Sequence, residues 1–347
     1  MGRRDNQISK SILEAIFHDP EHDDKRTFIV RILAFFSFFR IILARYADSV
    51  FKRLRAEEWE IDEDEYRESF RSNGKDEELK AVGDLGYSGS TFFTTPNSKY
   101  LIKSLPRPSE YRFFAHDLLA PYTSHITHTP NSLLVRITDF LYSPYVTLGS
   151  LFGLAPACHI VRENILYGQS TSSASDNWET YDLKPISYFY PERDIAGGYL
   201  ASESTKERLV DKFEDRIRVP EYARVQLLET LEADTKLLST CNAVDYSLFL
   251  VRYPASSASS VATIPAKASP WRSGVESTDG KWVYRAVVLD FFWAKHRTQA
   301  KVMTGLIKSF NFFARKGPMS ITTDAPEYRE RFLKMVEGLF EERLVEV

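Results

Sequence analysis

The sequence predicts an α+β fold, and three observations carry that expectation. Strand-like segments cluster between Leu85 and Lys184, helical patterns recur between them and toward the C-terminus, and the two do not alternate as regularly as a parallel sheet requires. The 347 residues allow two ordinary domains or one large two-lobed one, enough to bury a sizeable core without disulfides. Apolar residues make up 43% and charged residues 27%, which marks a folded chain rather than a disordered one, and 24 Phe with 18 Tyr predict an aromatic-rich core. A net charge of −3 argues against a surface that is basic throughout, so nucleic acid is not an expected partner and any anion-binding surface must be local. Cys158 and Cys241 have no zinc-like spacing, and the start Met1-Gly2-Arg3-Arg4-Asp5 is unlike a signal peptide; a reducing, cytoplasmic setting is expected.

Residues 1–45 read as an N-terminal extension whose main feature opens the apolar run Thr27 to Tyr46. Arg31, Arg40 and Arg45 interrupt that run, leaving eight uninterrupted residues between the first two, against the ~20 needed to span a bilayer. It reads as a helix buried by the protein or in a homodimer, with a helix lying on a membrane surface as the alternative. Residues 46–167 read as a first lobe. Within it, Gly86 to Thr91 opens a β-hairpin of Phe92 to Thr95 and Lys99 to Leu105 around Pro96-Asn97-Ser98. Strands Ala157 to Tyr167 and Glu179 to Lys184 flank a small polar insert, Gly168 to Asn177. Residues 178–347 read as a second lobe, with helices Glu221 to Leu238 and Glu327 to Phe340, and strands Tyr246 to Tyr253 and Trp282 to Asp290 around a serine-rich insert, Pro254 to Gly280. Both inserts have too few large apolar side chains to offset their ordering entropy, which predicts mobile loops joining strands of a sheet. The His residues show no metal-site organisation and read as surface or loop residues.

Several side chains stand where chemistry is expected. The small residues of Gly86-Tyr87-Ser88-Gly89-Ser90-Thr91 let backbone N–H groups approach a phosphate, although a plain turn fits the same composition. Strand alternation puts Lys103 on the face of Leu101 and Leu105, where an ammonium is costly unless it meets an anion, with Glu110 as a candidate ion partner. Asp182 and Lys184 share the strand face opposite Tyr181 and Leu183, which a surface ion pair also explains. Asp245 lies between a helix and an apolar strand, a common place for a turn residue. Asp290 ends the run Ala286-Val287-Val288-Leu289 and precedes Phe291-Phe292-Trp293, so this lone carboxylate needs a cation, a metal or a buried donor. From Lys281 to Lys316 eight basic residues stand against Asp290 alone, a net charge of +7 in an acidic chain. With Phe310, Phe312 and Phe313 among them, this segment suits an anionic surface.

Taken in order, these features resemble the phosphatidylinositol phosphate kinase family. Tyr46 to Arg55 and Glu65 to Ser69 resemble its opening segment, and Gly86 to Ser90 followed by Lys103 its glycine loop and nucleotide lysine. Pro121 to His125, Asn131 to Leu134 and Val161 to Ile165 match its first-lobe pattern, Asp182-Leu183-Lys184 its DLK, Asp245-Tyr246-Ser247-Leu248 its DYSLL, and Val288-Leu289-Asp290 its IID. Ser320-Ile321 with Tyr328 to Phe332 match its C-terminal segment, so the resemblance runs from about residue 46 to 340.

The resemblance implies a two-lobed, SAICAR synthase-like α+β fold and transfer of the ATP γ-phosphate to an inositol hydroxyl of a membrane phosphatidylinositol monophosphate. The pattern is that of phosphatidylinositol 4-phosphate 5-kinases, and a pseudokinase serving as a phosphoinositide-binding scaffold is the alternative. It implies that Gly86, Ser88, Gly89, Ser90 and Lys103, with Glu110, hold ATP; that Asp290 binds Mg²⁺; and that Asp245 sits beside the acceptor hydroxyl with Asp182 and Lys184 supporting the phosphates. Arg315 and Lys316 would be the basic pair of the lipid-reading loop, placing the chain at the cytosolic face of a membrane. Two departures stand out: Pro185-Ile186 replaces the family's Gly-Ser after DLK, and bulky Phe291-Phe292-Trp293 follows Asp290.

Overall fold

The computed structural model describes residues 2–17, 35–71, 79–82, 90–169, 177–185, 212–261, 269–294 and 324–341. The chain divides into two units, Met1–Tyr111 with Val135–Tyr167, and Arg112–Leu134 with Gly168–Val347. The segment 112–134, expected in the first lobe, thus belongs with the second unit.

The first unit is built on a six-stranded antiparallel sheet. Its strands are β1 (Ala44–Arg45), β2 (Lys80–Val82), β3 (Phe92–Thr94), β4 (Tyr100–Ser104), β5 (Ile137–Tyr142) and β6 (Cys158–Glu163), in the order β1-β5-β6-β4-β3-β2. The expected hairpin forms, with Phe92 opposite Lys103 and Thr94 opposite Leu101. Helix α1 (Arg3–Phe17) packs into the same core, because Ile8, Ile12, Leu13 and Ile16 recur at helical spacing on one side and are buried with Phe93, Ile102 and Val161. What reads as an extension in the sequence is therefore part of the core.

The apolar helix expected through Tyr46 does not continue that far: in its described part only Phe35 is helical. Residues 36–43 lie outside helix and strand and lead into β1; residues 27–34 lie outside the described residues. Part of this segment is also exposed, Phe36 and Phe38 among it. It runs against helix α6 (Leu148–Leu151), where the Gly149 N–H donates to the Ser37 carbonyl at 3.1 Å. A Cβ at position 149 would stand 2.0 Å from the Phe38 carbonyl oxygen, so only glycine permits the approach.

Buried charge ties the Tyr46 to Arg55 segment to this sheet. Asp139 on β5 is fully buried and accepts from Arg45 Nε at 2.9 Å and Nη2 at 2.6 Å. Arg55, in the π-helical turn that continues helix α2 (Asp48–Arg53), donates to both Glu63 oxygens at 2.9 Å and to the Thr138 carbonyl at 2.5 Å. Asp139→Ala is expected to destabilise the chain by about 3 kcal/mol, because it leaves two buried guanidinium groups short of a carboxylate. Denaturant titration would show it, with part of the loss recovered in Asp139→Ala with Arg45→Met; an unshifted midpoint would mean that Glu63 and Asp48 suffice.

His159 corrects the surface assignment of the histidines. It lies on β6 between Ser104 of β4 and Leu141 of β5 and is fully buried, and neither ring nitrogen has a hydrogen-bond partner among the described residues. Burial, helped by the nearby Arg4 charge, pushes its imidazole down to about 3. The unfolded chain takes up this proton near pH 6.5 and the folded one does not, so this contribution to stability is complete above 6.5 and is lost as pH falls toward 3. By pH 5 the expected loss is about 2 kcal/mol. Thermal unfolding from pH 7 to 5 should fall less steeply in His159→Phe than in the parent chain.

The second unit carries a four-stranded antiparallel sheet of β7 (Glu179–Leu183), β9 (Ser247–Pro254), β10 (Val275–Glu276) and β11 (Trp282–Leu289), in the order β10-β11-β9-β7. A two-stranded ladder pairs β8 (Ala243–Val244) with β12 (Trp293–Ala294). Helix α7 (Glu221–Thr240) buries Ala223, Leu227, Leu231 and Leu238 along one side, and helix α9 (Ala325–Glu337) places Tyr328 and Phe332 against Tyr246, with ring centroids 4.7 and 5.0 Å away. Both helices match the expected periods.

The inserts differ from expectation. Gly168 to Asn177 leads from β6 of one sheet to β7 of the other, so it does not join neighbouring strands. The serine-rich insert does lie between β9 and β11, but its described part is ordered: it holds a 3₁₀ turn over Ala255–Ser260, helix α8 (Pro270–Ser273) and β10. A single large side chain accounts for much of this, since Trp271 is fully buried and its indole N–H donates to the Ala223 carbonyl at 2.9 Å.

Candidate functional site

Register, rather than sequence spacing, assembles the charged cluster of the second unit. β9 and β11 pair up to Ser247 opposite Leu289, and β8 and β12 resume with Val244 opposite Trp293. Between these ladders one strand carries Asp245-Tyr246 and the other Asp290-Phe291-Phe292, so the two aspartates occupy facing interruptions. Both have left-handed backbone, φ 65° at Asp245 and 62° at Asp290, a conformation that aspartate tolerates better than most side chains. Such bends turn each carboxylate out of the ladder direction, and their persistence in non-glycine residues marks a local geometry imposed by its surroundings.

Lys184 joins this cluster from the end of β7. That strand pairs with β9, Leu183 opposite Leu248, and the next residue sends its Nζ to Asp245 Oδ1 at 2.9 Å. The Lys184 side chain is 17% exposed and that of Asp245 is 30% exposed, so the pair is shielded yet reachable. Burial pulls the Lys184 ammonium down, but the charges of Asp245, Asp182 and Asp290 together with the Asp245 hydrogen bond outweigh it and hold the group well above the ordinary lysine range. Lys184 is therefore a permanent cation facing three carboxylates. Asp182 lies on exposed β7 surface opposite Phe249. The cluster thus brings together four of the residues expected from the sequence.

Asp290 is followed by aromatic residues that face the core. Phe291 stacks on Tyr122 with centroids 6.1 Å apart, and Phe292 meets Phe114 edge-on at 5.3 Å. Both are buried, so their bulk fills the interior of the second unit. Pro185 is also buried, directly after Lys184; Ile186 lies outside the described residues.

In the first unit Lys103 is 6% exposed, with Nζ 5.7 Å from the Phe92 ring centroid, and its backbone sits between Phe92 of β3 and Ile160 of β6. The ammonium is thus buried at the strand position that the sequence pattern singled out. Ser90 is buried beside the same hairpin, and the Thr91 N–H donates to Ser104 Oγ at 2.7 Å. Glu110, in helix α4 (Pro108–Phe113), accepts from Arg107 at 3.1 Å. Gly86, Ser88, Gly89, Arg315 and Lys316 lie outside the described residues, as does most of the basic segment after Asp290.

Among the described residues no three His, Cys, Asp or Glu side chains gather as a metal site built by protein alone. Mg²⁺ needs no such set, because it is usually held by one or two carboxylates and the phosphates of its nucleotide. Asp290 and its neighbouring aspartates fit that mode of holding.

Comparison with known proteins supplies the family. The family model described as phosphatidylinositol-4-phosphate 5-kinase matches residues 73–270, more than half of the chain. The chain belongs to the phosphatidylinositol-4-phosphate 5-kinase family. The family match includes Lys103, Asp182, Lys184 and Asp245 and ends before Asp290. Similar proteins include a probable phosphatidylinositol phosphate kinase of Dictyostelium discoideum, 26% identical over 51% of this chain and 23% of that protein. The phosphatidylinositol 4-phosphate 5-kinase of Plasmodium falciparum is 28% identical over 60% of this chain and 12% of its own length. Phosphatidylinositol 4-phosphate 5-kinase 9 of Arabidopsis thaliana is 26% identical over 59% and 22%. The matched part of the chain thus spans less than a quarter of each of these relatives.

Sequence reasoning missed three residues, His125, Asp234 and Arg272, that the structure joins to each other or to the segment bordering β11. His125, far from being a surface residue, bonds through Nε2 to the fully buried Asp234 at 2.6 Å, and Arg272 is buried in the serine-rich insert. The first two are 109 positions apart, and no local pattern joins them.

Proposed function

We propose that this member of the phosphatidylinositol-4-phosphate 5-kinase family is a lipid kinase, transferring the γ-phosphate of ATP to an inositol hydroxyl of a phosphatidylinositol monophosphate, with phosphatidylinositol 4-phosphate as substrate. The observation that carries this reading is the permanently charged Lys184 held against Asp245 and facing Asp182 and Asp290. Phosphoryl transfer through a loose transition state asks for positioning and charge neutralisation more than for a covalent nucleophile, and a fixed cation among carboxylates supplies both.

In the proposed reaction the inositol hydroxyl oxygen forms a bond to the γ-phosphorus. The bond from that phosphorus to the β–γ bridging oxygen breaks, and ADP leaves with the electron pair. Asp245 orients the hydroxyl and accepts its proton; Lys184 neutralises charge on the transferred group, and Asp182 supports its charge. Lys103, with Gly86, Ser88, Gly89 and Ser90, holds the nucleotide phosphates, and Glu110 is assigned as the ion partner of Lys103 when no nucleotide is bound. Asp290 would hold Mg²⁺, which neutralises phosphate charge when bound. The two units are assigned as the lobes of the SAICAR synthase-like fold, and the antiparallel sheet of each supports that assignment. Arg315 and Lys316 are assigned to an anionic membrane surface at the cytosolic face; no described helix is long and apolar enough to cross a membrane.

Incubation with radiolabelled ATP, Mg²⁺ and vesicles carrying each phosphatidylinositol monophosphate separately tests the proposal. Label in phosphatidylinositol bisphosphate, greatest from the 4-phosphate, is the expected result. Pro185 favours one competing reading, a catalytically weak scaffold, because a ring-locked residue without an N–H follows Lys184 directly. Vesicle binding without label in any lipid would decide for that reading.

A further inference from the structure

A buried carboxylate outside the cluster is bonded to the segment that borders the end of β11. Asp234 lies on the inner side of α7 and is fully buried. Its Oδ1 meets Ser132 Oγ at 2.7 Å and His125 Nε2 at 2.6 Å, and its Oδ2 accepts from the Leu133 N–H at 2.6 Å. A buried carboxylate with this many donors is costly to keep unless its geometry is held, so it fixes residues 132–134 tightly.

Those residues in turn border β11. The Val288 N–H donates to the Leu133 carbonyl at 2.7 Å, and Leu134 forms a parallel bridge with Val288. β10 covers the outer edge of β11 only at Val283 and Tyr284, so residues 133–134 act as a substitute strand at the far end, two residues before Asp290. Arg272 closes the bracket from the serine-rich insert: its Nη2 donates to the Ser132 carbonyl at 2.7 Å and to the Leu134 carbonyl at 2.6 Å. The neighbouring Trp271 anchors the same insert to α7.

We propose that Asp234, with the Arg272 clamp, is a positioning residue for Asp290, holding 132–134 as the strand that sets the left-handed bend from which the Asp290 carboxylate projects. β9 fixes one side of β11 up to Leu289, and the bracket fixes the other, so the strained backbone at Asp290 is determined from both edges. The inference rests on the proposed role of Asp290 as Mg²⁺ holder and adds the residues that make its position rigid. Partners that orient a metal-holding side chain typically change metal affinity 10–100-fold when lost.

The test uses the full chain and four proteins: the parent, Asp234→Asn, Ser132→Ala and Asp290→Asn. Calorimetry with a non-hydrolysable ATP analogue gives the Mg²⁺ concentration that half-saturates the metal-dependent gain in nucleotide affinity, and amide hydrogen exchange follows Val288. Asp234→Asn should raise the Mg²⁺ requirement about tenfold, leave nucleotide binding without Mg²⁺ unchanged, and speed Val288 exchange. Ser132→Ala, which removes one donor, should move both in the same direction by a few fold, and it decides the matter if Asp234→Asn does not fold. Faster Val288 exchange with an unchanged Mg²⁺ requirement would overturn the positioning role and leave a purely structural bracket, and unchanged exchange would overturn the bracket itself. If Asp290→Asn keeps the parent's Mg²⁺ requirement, the metal role of Asp290 falls, and this inference with it.

Discussion

Asp290→Asn should reduce phosphoryl transfer to lipid by about 10²–10³-fold or more while leaving the protein folded. The substitution removes the charge expected to hold Mg²⁺ and keeps the side-chain shape, and asparagine accepts the left-handed backbone at this position, φ 62°, as readily as aspartate. Stability should therefore stay close to that of the parent, since no buried aromatic contact of Phe291 or Phe292 is touched. Turnover on phosphatidylinositol 4-phosphate vesicles and thermal unfolding would be measured side by side. Parent-like turnover would remove Asp290 from the reaction. A large drop in unfolding temperature would show instead that the carboxylate holds the turn.

Asp245→Asn should slow turnover by about 10²–10⁴-fold, the range for a positioned proton acceptor, with little change in the KM for ATP. Its amide oxygen can still accept from Lys184 Nζ, and the left-handed turn, φ 65°, also suits asparagine, so the fold should survive. Lys184 would lose the nearest of the three charges that hold it protonated and move toward the ordinary lysine range. An Asp245→Asn protein that fails to fold would identify Asp245 as a structural turn residue and sink its assigned role.

Much of the site was legible as isolated residues. Lys103 on an apolar strand face and Asp290 at the end of an apolar run each violate the rule that charge avoids apolar surroundings, Asp182 and Lys184 stood out by sharing one side of a short strand, and the structure finds Lys103 buried and the other three together. Local pattern also sufficed for the hairpin of β3 and β4, for α7 and for α9, since their periods and turn residues lie within a few positions of one another. The same local reasoning failed where one side chain outweighs the composition of its segment. Serine content predicted a mobile insert, yet Trp271 and Arg272 alone give that insert a buried anchor and three bonds to distant carbonyl groups. The apolar run before Tyr46 read as a helix, but β1 draws its end into the sheet edge, where Ala44 pairs with Tyr142.

The sequence by itself determined the periodic elements, the family pattern and the identity of the charged residues, because these depend on neighbours along the chain. Only the tertiary structure decided which charges meet. Asp245 and Asp290 stand at facing interruptions in two ladders, Lys184 reaches Asp245 through the pairing of β7 with β9, and Asp234 accepts from the Leu133 N–H 101 positions away. Strand register and helix docking are global choices set by burial of the whole core, and a shift of one residue in a strand would send its side chains to the opposite face.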